Sequence, residues 1–324
     1  MKRVLVVRPS SLGDVVHALP VVCDIVRALP DVRVDWLAEE AFAPLVALHP
    51  RIDKVIGVAL RRWRRELGTL RAWREMLDFR RRLRDLRYDA VLDLQEQVKG
   101  AFMARSARGE VHGFDRRSVR EPLSVLLHHR HHAIDRSRHF EDKCRALAGE
   151  ALDYTPHGAP DYGLVPPAPR AGLLPSIRYA VGVHVTSRDD KRWPDPHWHL
   201  LIDALERADI ATVLPWGTQS ERVRSETLAK GHARAIVPQR LPLPEVATLL
   251  ANAELVAGVD TGLVHLAAAL RTPTVAIFTS TDAKLAGVAV AGAHAVDLGG
   301  NGEIPAADAV IAAAGPLLRR AATC

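Results

Sequence analysis

Short apolar strands rich in β-branched residues alternate with amphipathic helices at a spacing of about thirty residues, and this alternation runs through the chain twice. A period of that length belongs to repeated strand–helix–strand units, whose strands lie parallel in a sheet covered by helices on both faces. In the first half the pattern reads strand Arg3 to Val7, helix Val15 to Leu29, strand Val32 to Ala38, helix Ala41 to Leu48 and strand Lys54 to Val58. A basic helix and the strand Ala90 to Leu94 follow, and Arg116 to Gly149 reads as helical. Pro156 to Pro175 is rich in Pro and Gly and lacks a sustained period, which marks a linker. The alternation restarts at Tyr179 to Val185 and continues through strands at Ala211 to Pro215, Ala235 to Val237, Glu254 to Val259 and Thr274 to Phe278, before a last helix from Ala306 to Arg320. The expected organisation is α/β, with two Rossmann-like domains at 1–170 and 171–302 and a terminal helical segment at 303–324.

Two turns stand out within that frame. Asp260-Thr261-Gly262, with His265 beyond it, sits where an apolar strand hands over to the apolar helix Leu263 to Leu270. A helix start offers unpaired backbone N–H groups and the positive end of the dipole, a place for a diphosphate against Thr261 and Gly262. Ser10-Ser11-Leu12-Gly13-Asp14 repeats the device after the first strand. In open parallel sheets ligands lie beyond the carboxyl ends of the strands. The loops Ser10 to Asp14, Thr186 to Lys191, Trp216 to Glu221, Asp260 to His265 and Thr279 to Asp282 are therefore expected to converge on a cleft.

At 324 residues and 48% hydrophobic, the chain can build two cores of ordinary size. Lys2-Arg3 precedes only four aliphatic residues before Arg8 and Pro9, too few for a signal-peptide core, and no window reaches a membrane span, so a cytoplasmic location is expected. Cys23, Cys144 and Cys324 are widely spaced and lack CxxC spacing, which argues against a disulfide framework or a zinc site. The net charge of +6 is concentrated: Arg61 to Arg87 holds eleven Arg against Glu66, Glu75, Asp78 and Asp85, a local +7. Such a run suits an anionic partner, whether nucleic acid, an acidic membrane face or a phosphorylated, carboxylated substrate. The competing reading is a solvated helix face, with Trp73, Met76, Leu77, Leu83 and Leu86 packed inward. Arg61-Arg62-Trp63-Arg64-Arg65 lies ahead of that helix with no apolar stripe of its own.

Ser10-Ser11-Leu12-Gly13-Asp14-Val15-Val16-His17, Thr186-Ser187-Arg188-Asp189-Asp190-Lys191-Arg192-Trp193-Pro194, Pro215-Trp216-Gly217 and Asp260-Thr261-Gly262-Leu263-Val264-His265 together resemble the bacterial lipopolysaccharide heptosyltransferases of glycosyltransferase family 9, and within them the branch that adds the first heptose. Arg61-Arg62-Trp63-Arg64 and Arg120-Glu121-Pro122-Leu123 look like further pieces, so the resemblance spans nearly the whole chain. It implies a GT-B fold: an acceptor-binding first domain, an ADP-heptose-binding second domain, and a final helix packing back toward the first. It also implies an inverting transfer from ADP-L-glycero-D-manno-heptose to the inner Kdo of Kdo2-lipid A, with no metal or other cofactor.

Inversion at an anomeric carbon needs one base to take the acceptor proton while ADP leaves from the opposite face. Asp14 suits that role, although an Asp at a helix start equally serves as a cap, and the residues alone leave the two open. The resemblance places Asp14 in catalysis and Lys191 against the leaving diphosphate. Thr186, Ser187, Thr261 and Gly262 would meet the phosphates, Asp260 the heptose hydroxyls, His265 the donor, Glu221 the ribose and Leu241 the adenine. Ser10, Ser11 and Gly13, with Arg61, Arg62, Arg64, Arg65 and Arg120, would meet the acceptor, whose carboxylates and phosphates suit the guanidinium fork. The same arginines favour peripheral, salt-sensitive association with the anionic cytoplasmic face of the inner membrane.

Some features depart from the family pattern. Thr279-Ser280-Thr281-Asp282 stands where the family commonly shows Gly-Pro-Thr-Asp, and the family often has Met at the position of Leu241. His128-His129-Arg130-His131-His132 invites a metal reading, yet adjacent side chains diverge and no paired carboxylate is secure. Glu96 and Lys99 read as surface residues, with the lining of the acceptor side as the alternative reading. A sibling enzyme adding a later heptose is the nearest rival. A non-catalytic nucleotide or nucleic-acid binder is less well supported, since 5% aromatic content leaves few stacking platforms, and no G-x-G-x-x-G supports a dehydrogenase.

Overall fold

Val4 to Val7 are fully buried because parallel strands covered on both faces have no polar side to show, and the strand they form, β1 (Arg3–Val7), lies at the centre of the first sheet. Its companions are β2 (Arg33–Glu39), β3 (Ile52–Val58), β4 (Arg87–Asp93), β5 (Arg108–Phe114) and β6 (Arg130–His132). All pair in parallel, in the order β3-β2-β1-β4-β5-β6. The computed structural model describes residues 2–186 and 188–321, which divide into the units Met1–Gly163 and Leu164–Cys324. In the second unit β7 (Tyr179–Val183), β8 (Ala211–Val213), β9 (Ala235–Ile236), β10 (Leu255–Val259), β11 (Thr274–Phe278) and β12 (Ala295–Gly299) run β12-β11-β10-β7-β8-β9. Read from β9, this is the same strand order as the first sheet. Each sheet thus reverses direction between its first and fourth strands, leaving a crevice at the carboxyl ends of β1 and β4 and another at those of β7 and β10.

The unit boundary falls at Gly163/Leu164 rather than 170/171, because the intervening chain is anchored in the second unit. Pro167 O accepts from Thr248 Oγ1 and Arg170 pairs with Glu245. The terminal helix Ala307–Ala321 contributes Ala307, Val310, Ala314 and Leu317 to the second unit's core beside Trp193, Trp198 and Leu201.

Local differences have local causes. The helix expected over Val15 to Leu29 is two, Leu12–Ala18 and Pro20–Ala28, because Pro20 cannot continue a hydrogen-bond ladder but starts one well. The span read as helical from Arg116 to Gly149 contains β6, a 3-10 turn at Pro122–Leu127 and the helix Phe140–Leu152. Arg61 to Arg65 lies in a helix, Leu60–Arg65, whose buried Trp63 meets Phe79 edge to face at 5.6 Å and donates to Glu75 Oε2. With Trp63 in place, the next helix, Leu70–Arg84, turns Ala72, Phe79 and Leu83 inward. Trp73 and Leu77, expected inside, are exposed. Cys23 and Cys144 are free thiols, and no described helix is long and apolar enough to cross a membrane.

Candidate active site

In the first unit the turn after β1 carries Ser10 to Asp14. Asp14 is the third residue of the helix Leu12–Ala18, and its Oδ2 accepts from the Ser11 amide at 2.7 Å and the Ser11 hydroxyl at 2.8 Å. Its Oδ1 meets Arg8 Nη2 at 3.0 Å. The carboxylate is therefore capped and ion-paired while its side chain stays 33% exposed. Burial pushes the Asp14 carboxyl up, but the Arg8 guanidinium, both Ser11 donors and His17 outweigh it and hold it below the ordinary carboxylate range.

Arg8 escaped the sequence reading because it looks like a strand terminus. Its guanidinium is almost wholly buried, and Nε and Nη1 have no protein partner, so the Asp14 contact is its chief compensation. The far side of the turn is held by the end of β4. The Ser10 amide donates to Gln95 Oε1 at 3.2 Å, the Gln95 amide donates to Asp93 Oδ1 at 3.0 Å, and Asp93 Oδ2 meets His128 Nε2 at 2.8 Å. The histidine run thus divides: His128 faces Asp93, His129 Nδ1 accepts from the Val111 amide, and His132 stacks on His112. Glu96, expected at the surface, is buried in an ion pair with Lys143 at 2.9 Å, while the exposed Lys99 reaches Ser10 Oγ at 3.3 Å. Gly13 is half-buried in the first turn of its helix.

Among the expected acceptor arginines, Arg62 pairs with Glu40 at 3.2 Å and Glu75 at 2.6 Å, clasping the helices Leu60–Arg65 and Leu70–Arg84 to the loop after β2. Arg61 is exposed and lies over the Phe42 ring at 5.2 Å. Arg64, Arg65 and Arg120 are exposed, with no acidic partner among the described residues.

In the second unit the loop after β7 and the end of β10 meet directly. Lys191 Nζ donates to Asp260 Oδ2 at 2.5 Å, and Asp260 Oδ1 meets His265 Nε2 at 3.2 Å. Burial pushes the Asp260 carboxyl up, but His265 and Lys191 hold it well below the ordinary range, so it is a fixed anion. Thr261 is the N-cap of the helix Gly262–Ala269, and its buried Oγ1 has no hydrogen-bond partner among the described residues. Beside it begin helix amides that the helix itself cannot satisfy. An unpaired hydroxyl and unpaired amides next to a lysine suit an anionic oxygen. Thr186 is half-buried and its Oγ1 accepts from the Arg188 amide, whereas Ser187 lies outside the described residues. Thr279 Oγ1 donates to Asp190 O at 2.6 Å, so this hydroxyl supports the lysine loop.

Glu221 is a cap: its Oε2 accepts from the Gly217 and Thr218 amides at 2.7 and 2.9 Å. That leaves Oε1, with two lone pairs, free of capping bonds among the described residues. Beside that turn, Trp216, Arg222, Glu226, Val237, Pro238 and Arg240 line a cavity of about 290 Å³, and half-buried Leu241 follows in sequence. Two groups of described residues bring possible metal ligands within 4.8 Å of one another, His17 with His139 and Glu141, and Asp203 with Glu206 and His232. Both are engaged in protein contacts: His17 Nδ1 and Tyr162 Oη meet Glu141 Oε1, and His199 meets His232.

Comparison with known proteins identifies the family of the chain. The pattern of glycosyltransferase family 9 (heptosyltransferase) matches residues 76–306. Lipopolysaccharide heptosyltransferase 1 of Escherichia coli strain K12 is 40% identical over 287 residues, covering 88% of this chain and 90% of that one, against 24% for heptosyltransferase 3 of the same strain. The solved structure of E. coli heptosyltransferase WaaC with ADP superposes with a TM-score of 0.86 at 38% identity, over 95% of this chain and 97% of that one. The same enzyme with ADP-2-deoxy-2-fluoro heptose gives 0.83, with the same identity and coverage. The chain belongs to glycosyltransferase family 9, the heptosyltransferases.

Proposed function

We propose that this chain transfers L-glycero-D-manno-heptose from ADP-heptose to the inner Kdo of Kdo2-lipid A, with inversion and without a metal. The observation that carries the reading is the Lys191–Asp260 pair at the crevice of the second sheet, in a chain 40% identical to a heptosyltransferase 1. Lys191 has three N–H donors, so it can keep Asp260 while donating to the diphosphate, whose charge grows as the C1–O bond breaks. Asp260 then serves twice, orienting the lysine and accepting from sugar hydroxyls. Thr186, Ser187, Thr261 and Gly262 contribute further donors to the phosphates, Glu221 one oxygen to the ribose, and Leu241 an apolar contact to the base.

Asp14 takes the proton of the attacking Kdo hydroxyl as that oxygen bonds to C1 from the face opposite ADP. Its depressed pKa keeps it ionised at neutral pH, ready to accept, and makes it a weak base, so proton transfer accompanies bond formation rather than preceding it. Arg61, Arg64, Arg65 and Arg120 meet the carboxylates and phosphates of the acceptor and favour the anionic membrane face.

Incubation with ADP-heptose and Kdo2-lipid A, followed by mass analysis, is expected to show one added heptose. Turnover only on an acceptor that already carries heptose would select the sibling activity, for which the lower identity to heptosyltransferase 3 gives less support.

A further inference from the structure

The helix Leu70–Arg84 has two apolar faces. Ala72, Met76, Phe79 and Leu83 hold it to the first unit, and that face accounts for its packing. The second face has no partner among the described residues. Leu70 is 77% exposed, Trp73 54% and Leu77 53%, and Leu67 in the preceding turn is 50% exposed. At about 100° per residue, Leu70, Trp73 and Leu77 fall within about 60° of one another, centred about 120° around the helix from the buried stripe. Arg74, Arg80, Arg81 and Arg84 fall in the same sector or on its borders, whereas Glu75 and Asp78 project from the other flank.

The acids are also occupied: Glu75 holds Arg62, Arg71 and Trp63, and Asp78 pairs with Arg81. The Trp73 indole N–H donates to Leu67 O at 2.9 Å, so what the ring turns outward is hydrocarbon. An outward stripe of Leu and Trp bordered by arginines, on a surface helix, is the composition of a helix that lies in a membrane interface. Charge decides the occupant: the helix carries six Arg against Glu75 and Asp78, which suits an anionic bilayer and repels a second copy of itself.

We propose that the helix Leu70–Arg84 docks the enzyme on anionic phospholipid, with Leu70, Trp73 and Leu77 seated among the acyl–headgroup boundary and Arg74, Arg80, Arg81 and Arg84 on the phosphates. This deepens the reading of a lipid-linked acceptor and differs from simple adsorption by arginine, because part of the attachment is apolar and resists salt. None of these seven residues is assigned to substrate.

The test uses the full chain and vesicles of phosphatidylglycerol with phosphatidylethanolamine, against phosphatidylcholine alone. Expected are co-sedimentation with the anionic vesicles, a residue of binding at high salt, and quenching of Trp73 fluorescence by lipids brominated near the glycerol end of the chain, absent in Trp73→Phe. Leu70→Ser/Leu77→Ser, which keeps the tryptophan and its hydrogen bond, is expected to weaken vesicle binding at least about tenfold. Arg80→Gln/Arg84→Gln should weaken it about fivefold per arginine removed. Leu200→Ser, at an exposed leucine of the second unit, is expected to bind as the parent does.

Unchanged binding in Leu70→Ser/Leu77→Ser would overturn the proposal, as would unquenched Trp73 in the bound protein. So would a dimer in solution that this variant dissociates without any vesicle binding. Turnover on a deacylated, water-soluble Kdo disaccharide separates the two readings. The variant should keep it, and its absence in the parent would count against the transferase function while leaving vesicle binding to be judged by itself.

Discussion

In the proposed mechanism Asp14 has two jobs, capping and catalysis, that a single substitution can separate. Its carboxylate accepts three hydrogen bonds, one from Arg8 on Oδ1 and two from Ser11 on Oδ2. In Asp14→Asn only one oxygen remains, so either Arg8 or the Ser11 amide faces an NH2 group. The loss of one charge-assisted bond and the donor–donor conflict cost about 1–3 kcal/mol, at the lower end because the side chain is one-third exposed and water can intervene. Catalysis by a positioned base is worth about 10²–10⁴ in rate. Asp14→Asn is therefore expected to lower kcat by about 10²–10⁴ on the soluble Kdo acceptor, with the Kd for ADP-heptose, measured calorimetrically, within about threefold of the parent.

Thr69→Ala supplies the comparison, since it removes the N-cap of the helix Leu70–Arg84 and should cost about 1 kcal/mol with little change in kcat. The capping explanation wins, and the catalytic one is refuted, if Asp14→Asn turns over within about tenfold of Thr69→Ala at matched stability.

Arg8→Met removes the cation that holds the Asp14 carboxyl down and leaves the burial that pushes it up, so the acid limb of the kcat profile should move to higher pH. An unmoved limb would mean that Arg8 does not set that charge. Lys191→Ala strands buried Asp260 with His265 alone and should raise the KM for ADP-heptose more than the KM for acceptor, while lowering stability by about 2–4 kcal/mol; Lys191→Ala/Asp260→Asn should recover the stability and not the donor affinity. Gly113→Ala would place its Cβ 2.2 Å from His128 Cε1, so the ring must leave Asp93, and a loss of about 2 kcal/mol or more is expected in urea titrations. His184 is fully buried, and burial, with Arg224, lowers its pKa from 6.5 to about 3. The unfolded chain therefore takes up a proton that the folded one refuses, and stability should fall by about 1.4 kcal/mol per pH unit from pH 6.5 toward 3, a slope that His184→Gln removes.

The sheet centres were legible because β1, β7 and β10 are apolar runs and β4 carries one at Ala90 to Leu92, a pattern that a buried parallel strand requires and little else produces. The sheet edges were not. β5 reads Arg-Gly-Glu-Val-His-Gly-Phe, and it is a strand because Gly109 and Gly113 let Tyr88 and His128 lie against its backbone, contacts that no periodicity encodes. The same limit applied to the site. Asp14, Lys191 and Asp260 sit in turns after strands, where a sequence shows them; Arg8, Asp93, Gln95 and His128 act by touching residues far along the chain. The arginine run misled in a third way. Helical period identifies two candidate inner faces, and only the ring of Trp63 against Phe79, across sixteen positions, decides that Trp73 faces out.

The two units solve one electrostatic problem with opposite signs. A group that must act on substrate has to be charged, oriented and reachable, and burial supplies orientation only at the cost of the charge. In the first unit the proposed base Asp14 is held by Arg8, whose side chain is 4% exposed against 33% for Asp14. In the second the proposed diphosphate-binding cation Lys191, 18% exposed, is held by Asp260, 7% exposed. In each pair the counter-ion lies deeper than the group it serves, so it fixes geometry and protonation state without blocking the outer lone pair or proton. Both counter-ions sit at strand ends, Arg8 directly after β1 and Asp260 directly after β10, whereas Asp14 lies in the helix Leu12–Ala18 and Lys191 in the loop after β7. Exchanging the partners, Arg8→Asp with Asp14→Arg, would keep the ion pair but reverse which sign reaches the crevice. Transfer should then be lost even where the folded state survives, which circular dichroism and donor calorimetry on the same sample would establish.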